Sequence, residues 1–203
     1  MEKLTLFTNP MSRGRIARWM LEEIGQPYEA VLLTYGDRMK SPDYLAINPM
    51  GKVPALQHGP RVVTECAAIC TYLADAFPQA GLMPADRGSF YRWMFFGAGP
   101  LEAAVVNKAL GVSVPPERKG MVGYGSLDDV LGVLDRQLAE NAYLCGKAFS
   151  AADVYVGAQI GWGMQFGTLP ALPAFTAYAE RIMARPAAQA ARAKDDALME
   201  QTR

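Results

Sequence analysis

Apolar and polar residues along this chain follow one period in its first third and another beyond it. Leu4 to Thr8 alternates (Leu-Thr-Leu-Phe-Thr), the spacing of a half-buried strand. Asn9-Pro10-Met11 breaks the alternation. From Ser12 onward the apolar positions Ile16, Trp19, Met20 and Ile24 recur at helical spacing, with Gly25 as C-terminal cap and Pro27 beyond it. Tyr28 to Leu33 predicts a second strand. After the polar connection from Thr34 to Pro42, a short helix is expected around Asp43 to Ile47, opened by Ser41 and Pro42. Ala55 to Gln57 and Arg61 to Thr64 read as two strands around a turn at His58-Gly59-Pro60, and a helix from Glu65 to Phe77 follows. The order is β-α-β-α-β-β-α, an α/β module on a four-stranded sheet.

Strand signals then stop. The stretch around residues 79–88 is rich in glycine and proline and poor in apolar anchors, and it predicts a linker between an α/β domain at 1–78 and an all-α domain at 89–203. The helical pattern of the second part is interrupted at Gly97-Ala98-Gly99-Pro100, where a kink is expected. Ser126 to Glu140 is helical, and Ser150-Ala151-Ala152-Asp153 has the spacing of a capping box. Two final helices are separated at Pro186.

Composition narrows the field. Of 203 residues, 51% are hydrophobic and 20% charged, enough apolar material for a sizeable core. Twenty basic residues balance twenty acidic ones, so no basic face invites nucleic acid. No apolar run is long enough to span a membrane, and Met1-Glu2-Lys3-Leu4 enters a strand without a secretory segment. Three cysteines make no disulfide framework and fit a reducing cytoplasm. The only histidine, His58, excludes a metal site built on histidine clusters; it reads as a turn residue, and no metal is expected.

Pro54 is awkwardly placed, because a proline cannot donate to a sheet ladder, yet it stands where an apolar strand begins. A cis Val53-Pro54 bond that leaves the preceding backbone free for a ligand is one explanation, and a trans proline opening an edge strand is the other. The motifs "NPMGKVPAL", "TECAAICTYLAD" and "FSAADVYVGAQI", in this order over essentially the whole chain, resemble the signatures of cytosolic glutathione transferases. The resemblance implies a thioredoxin-like N-terminal domain with a mixed sheet, an all-α C-terminal domain, and a cis Pro54 that lets Val53 pair with the backbone of glutathione.

Glutathione carries two carboxylates, an ammonium and a thiol. The start of the third long helix offers free N–H groups for the γ-glutamyl carboxylate, with Glu65 holding the ammonium and Cys66 standing where the family usually has serine. Lys52 and Lys40 are candidates for the glycyl carboxylate. A thiol with an ordinary pKa near 8.5 must be stabilised as thiolate. The family supplies tyrosine, serine or cysteine near the end of the first strand. Here no tyrosine precedes Tyr28 and no cysteine precedes Cys66, which leaves Ser12, an arrangement similar to the serine-type, theta-like classes. Ser12 is equally an N-cap in this position. Arg13, Arg15 and Arg18 add positive field, mostly solvated, with Arg13 the nearest. Met11, Tyr91, Phe95, Met164 and Phe166 could line a pocket for the second substrate, although such a stripe is more often core.

The resemblance thus implies an enzyme that binds glutathione as thiolate and adds it to a small electrophile, cytoplasmic and homodimeric, with no cofactor beyond glutathione as co-substrate. Its alternatives are a glutathione-dependent disulfide reductase or peroxidase, and a noncatalytic ligand-binding member.

Overall fold

The computed structural model describes residues 2–200. Contacts divide this chain into two compact units, one running to Leu82 and resuming at Ala184, the other spanning Met83–Met183.

In the first unit, strand β1 (Leu4–Thr8) is followed by helix α1 (Gly14–Ile24), strand β2 (Tyr28–Leu32) and the single turn α2 (Pro42–Leu45). Strands β3 (Ala55–His58) and β4 (Arg61–Thr64) and helix α3 (Cys66–Ala76) complete the expected order. The sheet order is β2-β1-β3-β4, with β1 parallel to β2 and antiparallel to β3, and β4 antiparallel to β3. It is a mixed four-stranded sheet. Leu4 and Leu6 of β1, Leu56 of β3, Ile16, Met20 and Leu21 of α1, and Ile69 and Leu73 of α3 are all buried. The alternation of β1 and the helical period of α1 therefore both face one core.

His58 is the last residue of β3 rather than part of the turn. Its Nδ1 lies 2.8 Å from the Tyr72 hydroxyl, and its ring packs against Phe77. Pairing with Arg61 extends the ladder by one residue, which a turn assignment from Gly59-Pro60 misses.

Arg18 is buried, not solvated as its charge suggested. The chain returns as helix α9 (Pro186–Glu200), which packs along α1 and brings Asp195 to 2.9 Å from Arg18 Nε. Burying such a pair is tolerable only because each charge meets the other. Glu23 receives Arg185 at 2.7 Å through two of its guanidinium nitrogens, and Glu22 receives Lys194 at 2.6 Å. Hence α9 belongs to the first unit, although its sequence pattern is continuous with the helices before it.

The second unit is helical. Helix α4 (Arg87–Phe96) runs through a π-helical turn at Gly97–Leu101 into α5 (Glu102–Ala109). Pro100 lies inside that turn, so the expected interruption takes the form of a wider turn, which accommodates the missing N–H. Gly97 is required there, because a Cβ would come within 2.7 Å of the Val156 side chain. Helices α6 (Leu127–Glu140), α7 (Ala151–Gln165) and α8 (Pro173–Met183) close the unit. The capping box at Ser150 and Asp153 is formed, and α7 is buried along almost its whole length. None of the described helices is long and apolar enough to cross a membrane.

Candidate functional site

The strand directions bring distant segments together. Ala55, at the start of β3, pairs with Phe7 near the end of β1 and with Thr64 at the end of β4. Thus the turn after β1, the Val53-Pro54 approach to β3 and the Glu65-Cys66 entry to α3 all leave the same end of the sheet. Ser12, Val53 and Glu65 are separated by up to 53 residues in sequence. A further contact joins two of these segments directly: Cys66 Sγ lies 3.7 Å from the Arg13 carbonyl oxygen.

The turn carrying Ser12 is built by hydrogen bonds. Asn9 Oδ1 accepts the Met11 N–H at 2.9 Å, and Asn9 Nδ2 donates to the Leu33 carbonyl at 2.8 Å. Ser12 Oγ donates to the Asn9 carbonyl at 2.7 Å and accepts the Gly14 N–H at 2.9 Å. The N-cap position of α1 is Arg13 rather than Ser12, and it carries no side-chain cap. Ser12 nevertheless satisfies the first helical N–H from one residue further out, so its oxygen already does part of a cap's work. Arg13 is exposed.

Gly14 is fixed by close approach. A Cβ there would lie 1.9 Å from Thr8 Oγ1 and 3.0 Å from Ser12 Oγ. Thr8 is buried, and its hydroxyl has no hydrogen-bond partner among the described residues. Gly14→Ala is expected to destabilise the protein by about 1–3 kcal/mol, the cost of forcing a methyl into a filled site, and to displace Ser12. A thermal melt and a glutathione titration check both parts; an unchanged melt would mean that the turn yields freely.

The second segment is held from behind. Asn48 is buried and donates to the Lys52 carbonyl at 2.8 Å, while the Tyr44 hydroxyl donates to the same oxygen at 2.5 Å. Burial pushes the Tyr44 phenol up, against the opposing pull of its contact with Asn48. The Val53–Pro54 peptide is cis. Val53 packs beside Phe7, Leu33, Met39, Tyr44 and Ala55. Among the described residues no hydrogen bond engages the backbone N–H or C=O of Val53, one residue outside a paired strand. Lys52 is exposed, whereas Lys40 Nζ donates to the Met50 carbonyl at 2.8 Å.

Glu65 is the single residue other than glycine with positive φ among the described residues, at φ 65° and ψ 120°. It is exposed, occupies the N-cap position of α3, and makes no side-chain cap and no ion pair within the described residues. Strain of this kind in a residue with a side chain persists where the surroundings impose it, and it clusters at functional sites. Cys66 behind it is buried. The thiol of Cys70, one helical turn further on, is pushed well up by its contact with Cys66 and by burial.

The apolar candidates do not form core. Met11, Tyr91, Phe95 and Phe166 are exposed, and Met164 is half-buried. Tyr91 and Phe95 lie one turn apart on α4, and Phe166 follows the last turn of α7. Met11 belongs to the other unit.

Four further residues hold the backbone around these segments. Asn9, Tyr44 and Asn48 hold backbone carbonyls, and Arg15 Nε donates to the Pro10 carbonyl at 2.5 Å. Asn48 heads the motif NPMGKVPAL and Asn9 stands in a proline-broken turn, whereas Tyr44 and Arg15 have no spacing that announces this role.

This geometry agrees with what the chain is similar to. The profile of the glutathione S-transferase N-terminal domain matches residues 6–81, and that of the C-terminal domain matches residues 121–186. Glutathione S-transferase 3 of Zea mays is 32% identical over 208 residues, covering 93% of each chain. A sphingomonad glutathione S-transferase, solved in complex with glutathione, is 32% identical and superposes with a TM-score of 0.75 over 95% of this chain and 98% of its own. The match to elongation factor 1-gamma of Prunus avium, 30% identical over 132 residues, takes in 61% of this chain and spans only 31% of that longer protein. The protein belongs to the glutathione S-transferase family of enzymes, with a thioredoxin-like N-terminal module and a helical C-terminal one.

Proposed function

We propose that this protein binds glutathione at the end of the sheet where the three segments meet and conjugates it, as thiolate, to a small electrophile. The observation that carries this reading is the convergence of an unpaired Val53 backbone, an exposed and strained Glu65 opening α3, and Ser12 in the turn before α1. In this reading Val53 pairs through its N–H and C=O with the cysteinyl backbone. The free N–H groups at the start of α3, that of Cys66 included, take the γ-glutamyl carboxylate, and Glu65 takes the ammonium. Lys52 meets the glycyl carboxylate, with Lys40 behind it. Arg13 adds positive field.

Ser12 is the catalytic residue of this proposal. Its proton now goes to the Asn9 carbonyl, so rotation about one bond redirects it to the glutathione sulfur. Conjugation is favoured over exchange through a protein thiol, because Cys66 and Cys70 are buried and the Cys70 thiol is pushed up. Within the second unit, Tyr91, Phe95 and Phe166 are exposed and Met164 half-buried, apolar surface that suits an electrophile. The protein is proposed to be cytoplasmic and to act as a homodimer.

Ser12→Ala tests the proposal. The bond favours the ionised sulfur and does little for the neutral thiol, so affinity at low pH should stay nearly intact. The pKa of bound glutathione should rise by roughly one to two units, the equivalent of one charge-assisted hydrogen bond. Thiolate absorbance against pH measures this directly. If the variant loses stability but keeps the parent's titration, Ser12 only supports the helix start. Turnover of chloronitroaromatics, compared with hydroperoxides and mixed disulfides, separates conjugation from the peroxidase and reductase alternatives.

A further inference from the structure

Arg15 has a side chain engaged in two directions at once. Toward the turn, its Nε donates to the Pro10 carbonyl at 2.5 Å, and its backbone N–H donates to the Ser12 carbonyl at 3.3 Å. It therefore grips the Ser12 turn at both ends. Toward α9, one terminal nitrogen meets Asp196 Oδ1 at 2.8 Å and the other meets Met199 Sδ at 2.9 Å. All three guanidinium nitrogens are thus used in one planar fork, an arrangement that lysine cannot reproduce. We infer that Arg15 is a positioning residue through which helix α9 sets the Ser12 turn for the glutathione thiol.

This rests on the reading of Ser12 as the partner of the thiolate and adds a role for α9. Three features of the contact support it. Arg15 is only 21% exposed, so its guanidinium is held rather than free in water. Asp196 is held below the ordinary carboxylate range by its bond to Arg15, with Arg192 at 3.5 Å as a weaker partner. The docking of α9 does not depend on this contact, since Arg18–Asp195 and Lys194–Glu22 hold the same helix and Arg185–Glu23 holds the residue just before it. Asp196 can therefore be altered while α9 stays in place. Arg13 and Arg18 also carry charge at the start of α1, and Arg18 is paired with Asp195.

The sign of the effect separates positioning from simple electrostatics. Asp196→Asn removes a negative charge, so through the field alone it would lower the pKa of a nearby thiol. If Asp196 holds Arg15, and Arg15 holds the Ser12 turn, the same change loosens the turn and raises that pKa.

The experiment titrates the thiolate absorbance of bound glutathione in the parent, Asp196→Asn, Arg15→Gln and Arg15→Lys, each also in a Ser12→Ala background, with a thermal melt of every protein. A rise of about half a unit to one unit is expected for Asp196→Asn and both Arg15 variants, a three- to tenfold fall in the ionisation constant of the bound thiol. No further rise is expected once Ser12 is alanine. An unchanged or lowered pKa in Asp196→Asn overturns the inference. So does full retention of the parent's value in Arg15→Lys, or an equal shift with Ser12 absent, since either makes Arg15 a point charge. A parent protein that shows no thiolate titration overturns the glutathione reading itself, and the inference with it; a normal parent titration with unresponsive variants overturns the inference alone.

Discussion

Glu65→Gly is expected to weaken glutathione binding by one to two orders of magnitude while leaving the melting temperature unchanged or raised. The two effects have separate origins. A charged hydrogen bond from the ligand's ammonium to the carboxylate is worth roughly 1.5–3 kcal/mol, which is about one to two decades of affinity. The backbone at φ 65° and ψ 120° burdens any residue with a Cβ, and such strain costs of order 1–3 kcal/mol. Glycine removes the part of that strain that the Cβ causes, and its greater freedom in the unfolded chain takes back about 0.5–1 kcal/mol. Glu65→Gln isolates the first effect, because it keeps the Cβ and the strain but removes the charge. Calorimetric titration with glutathione and a thermal melt of both variants decide the matter. Binding that survives in both would reduce Glu65 to a charge near a helix N-terminus.

Asp153→Ala is expected to unfold the second unit at ordinary temperature. The carboxylate is fully buried and accepts four hydrogen bonds: from the Leu144 and Ser150 N–H groups at 2.8 and 2.9 Å, from the Ser150 hydroxyl at 2.9 Å, and from the Tyr178 hydroxyl at 2.8 Å. These tie the start of α7 to the preceding loop and to α8. Truncation strands four buried donors, each costing about 1–3 kcal/mol, which together rival the whole stability of a domain of this size. Tyr178→Phe removes one partner and should cost about 1 kcal/mol. Far-ultraviolet circular dichroism during thermal unfolding checks both; a melt lowered by only a few degrees in Asp153→Ala would mean that water replaces the lost acceptor. Burial also pushes the Asp153 carboxyl up, against the pull of its hydrogen bonds. A raised folded-state pKa means that this group's own contribution is full below the ordinary value of 3.8 and is lost as pH rises through the folded pKa. Acid unfolding will therefore begin at other carboxylates, such as Asp196, whose pKa is lowered.

The elements were legible because periodicity is local. The alternation of Leu4 to Thr8, the helical spacing from Ile16 to Ile24 and the Ser150-Asp153 box each formed where the sequence placed them. Pro54 was legible as an anomaly. The exceptions follow a pattern: α2 is one short turn ending at Leu45, His58 joins β3, and the break at Gly97 becomes a π-helical turn. For His58 the pairing with Leu4 across the sheet, and for Gly97 the approach of Val156, decided a boundary that the local residues left open.

The candidate site divides in the same way. The sequence by itself determined the candidates for the proposed chemistry, because side-chain type and motif are properties of short stretches: the hydroxyl of Ser12, the carboxylate of Glu65, the cations at Lys40 and Lys52, and the bare strand start at Val53. Only the tertiary structure decided that the Ser12 turn, Val53 and Glu65 share one end of a sheet, because that follows from β3 running antiparallel to both β1 and β4. It alone decided that Glu65 is strained, since a positive φ follows from how β4 must turn into α3. It also decided that Arg15 and Arg18, which look like solvated charges in the sequence, are engaged by Asp196 and Asp195 some 180 residues away. A charge announces itself in sequence, but its partner is chosen by the path of the chain.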